Sequence, residues 1–511
     1  MKINQLKFGS VLAYLQMALN VIVGVVYTPI MLRLLGQSEY GLYSTVSSTI
    51  SMLAVLSLGF NSGYIRYYSI YKKRKDEDAI SRLNGLFLII FAIIGFVALI
   101  CGIYLSTHLE LVFDHGLTAA EYTIARRLML LLTVNMAISF PMSVFQNIIS
   151  AHERYVFLKL MGMAKTVISP LIALPLLLMG YRSVAMVVAT LLVSVIVDVA
   201  YFIYGKTELH VTFAFRNIEN EIFKKLFSYT FFIFLNMIVD QVNNNLDKFL
   251  LGRYQGTVSV SVYALGSLLY SYFVMFSTAI SGVFTPRIHR LIQTMVDKDI
   301  RRTKLTELFT KVGRVQFMVL ALVASGFVFF GKVFIYYWAG AGYEESYTVA
   351  LLLILPALVP LMQNLGIEIQ RALNKHQFRS IAYIFMASIN VFLTILLCQR
   401  YGAVGAAAGT AVSLVLMNGI VMNIYYHKKC DLDILAFWKS TLSLVRGLII
   451  PVLFGITLTK ILNIQSFTMM IFGIAVYIVV YILSMWFFGM NRYEKDLIAK
   501  VIFKVLKIKY D

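Results

Sequence analysis

Residues 83–105 read LNGLFLIIFAIIGFVALICGIYL and carry no charged side chain. A helix rises about 1.5 Å per residue, so a run of this length crosses the roughly 30 Å hydrocarbon core of a bilayer. The whole chain of 511 residues is 59% hydrophobic and 14% charged. Ordinary soluble domains carry about 25% charged residues, so a water-soluble protein is excluded.

Thirteen further apolar runs of similar length predict an all-helical, polytopic membrane protein with about fourteen spans. The predicted spans lie near 9–32, 43–65, 83–105, 127–150, 157–179, 183–204, 227–251, 260–284, 314–336, 348–370, 378–398, 402–426, 443–463 and 467–489. A cytoplasmic N-terminus assigns 35 of the 45 Lys and Arg residues to the inner face, so we expect both termini in the cytoplasm. The net charge of +20 then reflects topology and an anionic leaflet, and it predicts no nucleic-acid partner.

Two short motifs recur at a spacing of about 220 residues and indicate an internal repeat. RLLGQSEYGLY at 33–43 follows span one, and FLLGR at 249–253, with Tyr263 further on, follows span seven. MGYRSVA at 179–185 links spans five and six, as RYGAVGA at 400–406 links spans eleven and twelve. Repeats of six spans share one topology and are related by a pseudo-two-fold axis along the membrane normal, which predicts two lobes around a central cavity. The predicted organisation is an N-lobe at 1–205, a cytoplasmic linker at 206–226, a C-lobe at 227–427, spans thirteen and fourteen at 428–490, and an amphipathic cytoplasmic tail at 491–511.

Span seven carries the strongest polar signal. Asn236, Asp240, Asn243 and Asp247 fall at i, i+4, i+7 and i+11, on one face of a helix, and Asn244 lies beside them. A carboxylate in hydrocarbon costs at least about 2.5–3.5 kcal/mol, so this face must meet water, a partner or a substrate. The pattern favours one wall of a hydrated cavity. A polar seam that joins helices is the alternative.

Other charged groups lie in or at the ends of spans. Lys165 in span five needs an anion, which Asp198 in span six or an anionic substrate group could supply. Arg66 ends span two among tyrosines, where it either anchors the topology or contacts a phosphate through its bidentate fork. Glu368 and Arg371 in span ten form an i, i+3 pair that could be self-satisfied, with coupling-ion chemistry as the alternative.

The sequence does not predict an enzyme. GFVFFGKV at 326–333 nearly matches a phosphate loop, but Val333 replaces the Ser or Thr that would hold magnesium. The histidines and cysteines lack the spacing of a metal site, and the outer loops are too short for a catalytic domain. We therefore expect no metal, cofactor or ATP site, and transport energy from an ion gradient, the membrane potential or product removal.

The motif set resembles a known family. LGQSEYGLY at 35–43, LGF at 58–60 ahead of Arg66, and DKFLLG at 247–252 with Tyr263 occur in this order over the chain. They resemble the polysaccharide transporter branch of the multidrug/oligosaccharidyl-lipid/polysaccharide (MOP) superfamily, which implies a fold like that of the multidrug and toxin extrusion (MATE) transporters. The resemblance further implies a Wzx-type flippase of the bacterial inner membrane, which moves undecaprenyl-diphosphate-linked oligosaccharides to the outer leaflet by alternating access.

The resemblance also implies roles for the polar residues and names the alternatives. Arg66 and Lys165 would bind the diphosphate, whereas the glycan would lie against Asn236, Asp240, Asn243, Asn244 and Asp247. Asp198, Asp240 and Glu368 are the candidates for coupling to a proton or sodium ion. Membrane lipids and polysaccharide polymerase or assembly proteins would be further partners. A multidrug/cation antiporter and a lipid II flippase of the same fold are the alternatives, and a membrane glycan polymerase is disfavoured by the short outer loops.

Overall fold

The computed structural model describes residues 4–114, 117–216, 220–295, 297–375, 377–461 and 466–505, and over these ranges the chain is helical with no strand. The α-helices are Gln5–Met52, Phe60–Arg74, Glu77–Thr107, Ala119–Ala151, Tyr155–Leu178, Arg182–Thr207, Asn220–Gln241, Asp247–Tyr254, Gly256–Gly282, Thr285–Thr294, Lys298–Ala339, Glu345–Met362, Leu365–Ala372, Gln377–Leu414, Met422–Lys429, Ile434–Leu442, Val445–Ile461, Phe467–Ser484 and Arg492–Val505. Short 3-10 turns occur at Leu53–Ser57 and Leu109–Leu111, and π turns at Val242–Leu246, Val415–Val421 and Met485–Gly489. The predicted all-helical class is confirmed.

Within the described ranges, eleven helical segments are long and apolar enough to cross a membrane. Phe8–Arg74 contains predicted spans one and two, and Gln377–Lys429 contains spans eleven and twelve. Each of the other nine segments overlaps most of one predicted span, and span seven lies in the helices between Asn220 and Tyr254. Each of the fourteen predicted spans therefore overlaps helix in the described ranges, and the protein is a multi-pass membrane protein.

Glycines allow two of the long helices to turn between consecutive spans. Gly36 has φ 76° and ψ 172°, and Gly402 has φ 56° and ψ −135°. Side chains with a Cβ clash with the backbone in these regions, so a glycine is needed where the chain turns without a separate loop. The first kink lies between spans one and two, and the second lies at the start of span twelve.

The chain forms two compact units, Met1–Ala264 with Tyr383–Ala406 and Leu265–Ala382 with Ala407–Asp511. In the first unit, an aromatic cluster around Tyr64, Phe87 and Phe91 is fully buried. Between helices in a membrane, close van der Waals packing of such rings replaces the hydrophobic effect as the source of association. These rings fix spans two, three and four against one another. The lobe boundaries given above stay a prediction.

The second unit has an apolar core of its own. Phe273, Leu320, Ala350, Ile354 and Ala357 are buried together, and they come from spans eight, nine and ten. The three alanine and isoleucine positions of span ten recur at three or four residues, so they line one face of that helix. Span ten therefore packs along one stripe against its two neighbours.

The internal repeat is visible in backbone and side-chain contacts of the first unit. Arg182 and Gly402 lie within one position of each other in the second repeated motif, and both have a positive φ, of 52° and 56°. Glu39 of the first motif lies 3.1 Å from the Arg182 guanidinium. Its counterpart, Gln255, donates a hydrogen bond of 2.9 Å to the backbone oxygen of Gln399. In each half of the repeat, a contact therefore joins the junction of the first two spans to the junction of the fifth and sixth spans.

Candidate functional site

A π turn at residues 242–246 interrupts the span seven helix at its most polar point. Asparagine side chains compete with backbone donors for carbonyl groups, which favours such irregular turns. Asn244 donates to the backbone oxygen of Asp240 at 2.7 Å, and Asn245 donates to the Gln241 side chain at 2.6 Å. Single π turns inside α-helices are frequent at functional sites.

The predicted polar face of span seven divides into two parts. Asn236, Asp240, Asn243 and Asn244 are exposed, whereas Asp247 is 2% exposed. The π turn adds a residue to the helix, and one residue corresponds to a rotation of about 100°. The carboxylate that follows the turn therefore no longer shares the face of the polar residues that precede it.

Asp247 is held by two hydroxyl groups from other spans. Its carboxylate accepts a short hydrogen bond from the Tyr263 hydroxyl and another of 3.3 Å from Thr394. Both partners lie in the same compact unit as Asp247. These contacts correspond to the polar seam, the alternative that the sequence left open. The four residues before Asp247 are exposed, and the cavity wall stays a prediction for them.

A break in span two lies beside this part of span seven. Leu58 and Gly59 follow the 3-10 turn Leu53–Ser57 with φ values of 50° and 71°, and helix resumes at Phe60. A Cβ on Gly59 would lie 2.7 Å from the Ile233 side chain, and such an approach requires glycine. The motif at residues 58–60 therefore marks a helix break that contacts span seven about two turns before Asp240.

Arg66 lies on the helix that follows this break. Its side chain is exposed, whereas Tyr64 and Tyr68, two residues to either side, are buried. The Tyr64 hydroxyl donates to Asn84 at 2.7 Å, and the Tyr68 hydroxyl lies 2.8 Å from His152 Nε2. The tyrosines are therefore part of the protein core, and the guanidinium is turned away from them.

Lys165 and Asp198 lie near one another on spans five and six. Lys165 is exposed, and its charge acts on the half-buried Asp198 carboxylate, which accepts a 3.5 Å hydrogen bond from Ser139. One residue further, Thr166 donates to Asn20 of span one at 2.7 Å. Polar contacts thus join span five to span one next to Lys165, and span four to span six at Asp198.

Glu368 lies in the second unit and pairs with Arg371 at 2.7 Å. The predicted i, i+3 contact is therefore confirmed, with the carboxylate 20% and the guanidinium 63% exposed. Among the described residues, no three His, Cys, Asp or Glu side chains are placed to hold a metal ion.

The sequence did not predict the partners of Glu39. Its carboxylate is 7% exposed and accepts from the Ser183 backbone N–H at 2.7 Å and from the Ser183 hydroxyl at 2.6 Å, with Arg182 beside it. A carboxylate at a helix N-terminus satisfies free N–H groups and favours the helix dipole. Glu39 therefore ties the junction of spans one and two to the start of span six. Its position as the single acid of the motif at 33–43 was the available signal.

Comparisons with known proteins identify relatives in sequence and in fold. A family described as "Polysaccharide biosynthesis protein" matches residues 7–292. No curated protein sequence matches the chain. The fold is similar to that of the lipid II flippase MurJ in an inward closed conformation, with TM-score 0.72 and 16% identity over 96% of this chain and 99% of that one.

Two other solved structures share the fold over a smaller part of the chain. An inward-facing multidrug resistance MATE family transporter of the MOP superfamily has TM-score 0.61 and 16% identity, covering 83% of this chain and 96% of that one. A MOP superfamily transporter from Pyrococcus furiosus has TM-score 0.57 and 14% identity, covering 82% and 96%. The predicted MATE-like fold class is therefore confirmed.

Proposed function

Because the chain belongs to the family of polysaccharide biosynthesis proteins, we propose that it is a flippase for lipid-linked oligosaccharides. Its substrate would be an undecaprenyl-diphosphate-linked repeat unit, carried from the inner to the outer leaflet of the bacterial cytoplasmic membrane. The product would enter the synthesis of a surface polysaccharide, such as O-antigen, capsule or exopolysaccharide. The similarity in fold to the flippase MurJ supports a lipid-linked substrate.

The observation that carries this proposal is the exposed polar stretch before and within the π turn of span seven. Asn236, Asp240, Asn243 and Asn244 would each be costly against lipid tails, and a carboxylate alone costs at least about 2.5–3.5 kcal/mol. Amides both donate and accept hydrogen bonds, so they can replace water around the hydroxyl groups of a sugar. A glycan that crosses the membrane needs a surface of this kind.

The diphosphate needs cations at the same membrane depth or at the inner surface. Arg66 and Lys165 are both exposed in the compact unit that contains span seven. A guanidinium binds phosphate oxygens in pairs, and an ammonium acts as a point charge, so both side chains suit this ligand. We assign the diphosphate to these two residues.

The energy source is proposed to be an ion gradient, the membrane potential or removal of the product outside, since the sequence predicts no ATP site. Asp198 and Asp240 are the candidates for coupling to a proton or sodium ion. Glu368 is a weaker candidate because its carboxylate already has Arg371 as a partner. Alternating access of the two predicted lobes would carry the glycan between the leaflets.

A multidrug or cation antiporter is the second candidate, and the fold shared with a multidrug resistance MATE transporter favours it. A cationic drug would be attracted by Asp240 but repelled by Arg66 and Lys165. A lipid II flippase is a third reading, because MurJ is described by that activity. These three candidate functions differ in their substrate, so the test must follow the lipid-linked oligosaccharide itself.

The test uses a bacterial strain that assembles a lipid-linked oligosaccharide but lacks its own flippase. We expect the wild-type chain to restore surface polymer, and the triple variant Asp240→Asn, Asn243→Ala, Asn244→Ala to leave the lipid-linked oligosaccharide in the inner leaflet at normal protein level. Asn245→Ala is the matched control, because its amide belongs to the same turn but bonds to Gln241 at 2.6 Å.

Two results would overturn the proposal. Normal polymer in the triple variant would remove span seven from the glycan path. Failure of the wild-type chain to restore polymer, together with drug resistance that Asp240→Asn abolishes, would establish the antiporter instead. Normal polymer in both Arg66→Ala and Lys165→Ala would overturn the diphosphate assignment alone.

A further inference from the structure

A cavity of about 250 Å³ lies in the second unit and is lined by none of the polar residues of span seven. It is lined by residues of the helices Thr285–Thr294, Lys298–Ala339 and Arg492–Val505. This volume is below the 300–1,000 Å³ of pockets for drug-sized ligands. It suits a polar headgroup with the first part of an apolar chain.

The rim of the cavity is basic. Arg287, Lys304 and Lys311 line it together with one acid, Glu307, which leaves a net charge of +2 on the lining. Lys311 lies 2.6 Å and Lys304 3.9 Å from the Glu307 carboxylate, so neither lysine has a carboxylate of its own. Glu307 therefore neutralises one of the three basic charges of the rim, and an anion bound there would be attracted by the remaining positive charge.

The floor of the cavity is apolar. Phe284, Leu291, Leu308, Val312 and Val315 line it, and Leu308 and Val312 are buried. Charge on one side and hydrocarbon on the other match a lipid, which presents a phosphate and an acyl chain at adjoining depths. A free phosphate would leave the apolar floor without a partner.

The position along span nine places this cavity at the membrane surface. The helix Lys298–Ala339 has 42 residues, about twice the length that crosses the hydrocarbon. Its apolar span is predicted from residue 314, so Lys311 lies about 5 Å outside the hydrocarbon and Lys304 about 15 Å. This range contains the headgroup layer, and the basic loops assign it to the cytoplasmic side.

The wall formed by the C-terminal helix is firmly attached. Arg314 and Glu494 are 4% and 1% exposed and form a bidentate ion pair, with 2.9 Å between Arg314 Nη2 and Glu494 Oε2. The neighbouring Tyr493 ring lies under the Lys311 ammonium at 4.5 Å from its centroid. The cavity is therefore built from fixed elements.

We propose that this cavity binds the headgroup and upper acyl chain of an anionic phospholipid from the inner leaflet. Basic pockets beside membrane helices on the cytoplasmic side bind such headgroups. The lipid would hold the helices Thr285–Thr294 and Arg492–Val505 to the membrane surface. This site is separate from the glycan surface proposed above, and its test does not depend on transport.

The test measures binding to the purified full-length protein in detergent by native mass spectrometry. The probes are phosphatidylglycerol, phosphatidylethanolamine and inorganic phosphate. We expect one phosphatidylglycerol to bind more tightly than phosphatidylethanolamine, and its affinity to fall when salt is raised from 0.1 to 1 M, because screening shortens the reach of the lysine charges. Each of Lys304→Ala and Arg287→Ala should weaken binding about fivefold, the effect of one basic residue near an anionic lipid.

Three further variants make the result decisive. Glu307→Gln should strengthen binding, because it raises the net charge of the rim to +3. Arg302→Ala is the matched control, an exposed basic residue of the same helix that does not line the cavity. Leu291→Gln should weaken the lipid but not inorganic phosphate.

Four outcomes would overturn the proposal. These are equal affinity for both phospholipids, an equal loss in Arg302→Ala, weaker binding in Glu307→Gln, and complete displacement of the lipid by millimolar inorganic phosphate. The last outcome would identify a free-phosphate site. If Arg287→Ala fails to fold, Lys304→Ala and Glu307→Gln decide the question alone.

Discussion

Replacing Tyr263 by Phe removes one hydroxyl group from the buried surroundings of Asp247 and changes little else. If Asp247 joins spans, this change lowers the free energy of unfolding. If Asp247 lies in the transport path, the change lowers transport and leaves stability alone. The two roles therefore predict different results from the same variant.

The expected magnitude follows from the contacts of the carboxylate. Asp247 is 2% exposed, so water cannot replace a donor that is lost. Hydrogen bonds to charged groups contribute about 1.5–3 kcal/mol, whereas polar contacts between membrane helices average about 0.6 kcal/mol. Tyr263→Phe removes a buried donor to this carboxylate, so it should cost about 2 kcal/mol. Thr394→Val, which removes a 3.3 Å bond, should cost about 0.6 kcal/mol.

The assay is reversible unfolding in mixed micelles, run beside surface polymer normalised to protein level. Tyr401→Phe is the control, because its side chain is 64% exposed in the same unit, and it should remain within about 0.5 kcal/mol of wild type. Asn243→Ala should also unfold like wild type but lose transport. A Tyr263→Phe protein as stable as wild type that fails in transport would refute the structural role of Asp247.

Three further predictions concern stability. Glu494→Ala leaves the buried Arg314 guanidinium without its carboxylate, so the free energy of unfolding should fall by about 3–5 kcal/mol, measured in the same micelles. Gly41→Ala places a Cβ 1.7 Å from a backbone carbonyl oxygen of another helix, so little folded protein should elute in size-exclusion chromatography. The pKa of His152 is lowered by burial and by the neighbouring cations Lys72 and Arg154. The unfolded chain takes up a proton first, so thermal stability should fall as pH drops below about 6.5.

Each of these predictions has its own control and contradicting result. The double variant Arg314→Met, Glu494→Met should recover most of the loss, because no uncompensated charge remains; a double variant as unstable as Glu494→Ala would contradict this account. Gly326→Ala should fold normally, since nothing lies within 4 Å of the added Cβ. His152→Gln should flatten the pH dependence, and an unchanged slope would assign it to another group.

The spans could be predicted from the sequence because bilayer thickness sets the length of an apolar helix. The turn at Gly36 was within reach of the same reasoning, since this glycine stands between predicted spans one and two, and Gly402 begins predicted span twelve. The helix break at Leu58 and Gly59 was not, because it lies inside the predicted span 43–65. Hydropathy does not change where a helix breaks and resumes within the membrane.

The polar residues of span seven show the same contrast between what the sequence predicts and what the folded chain contains. Sequence spacing placed Asn236, Asp240, Asn243 and Asp247 on one face, which holds for an unbroken α-helix. One π turn moved Asp247 from that face into contact with Tyr263. The identity of the polar residues was evident from sequence, but their partners were not.

The membrane class, the approximate number of spans and the repeat could be predicted without a structure, because they follow from local composition and from motif spacing. Which charged groups are satisfied by protein became evident only from the packing of the helices. Glu39 meets Ser183 and Arg314 meets Glu494 across separations of 144 and 180 residues. Such contacts depend on how helices pack, and packing is set by the whole chain and not by any one segment.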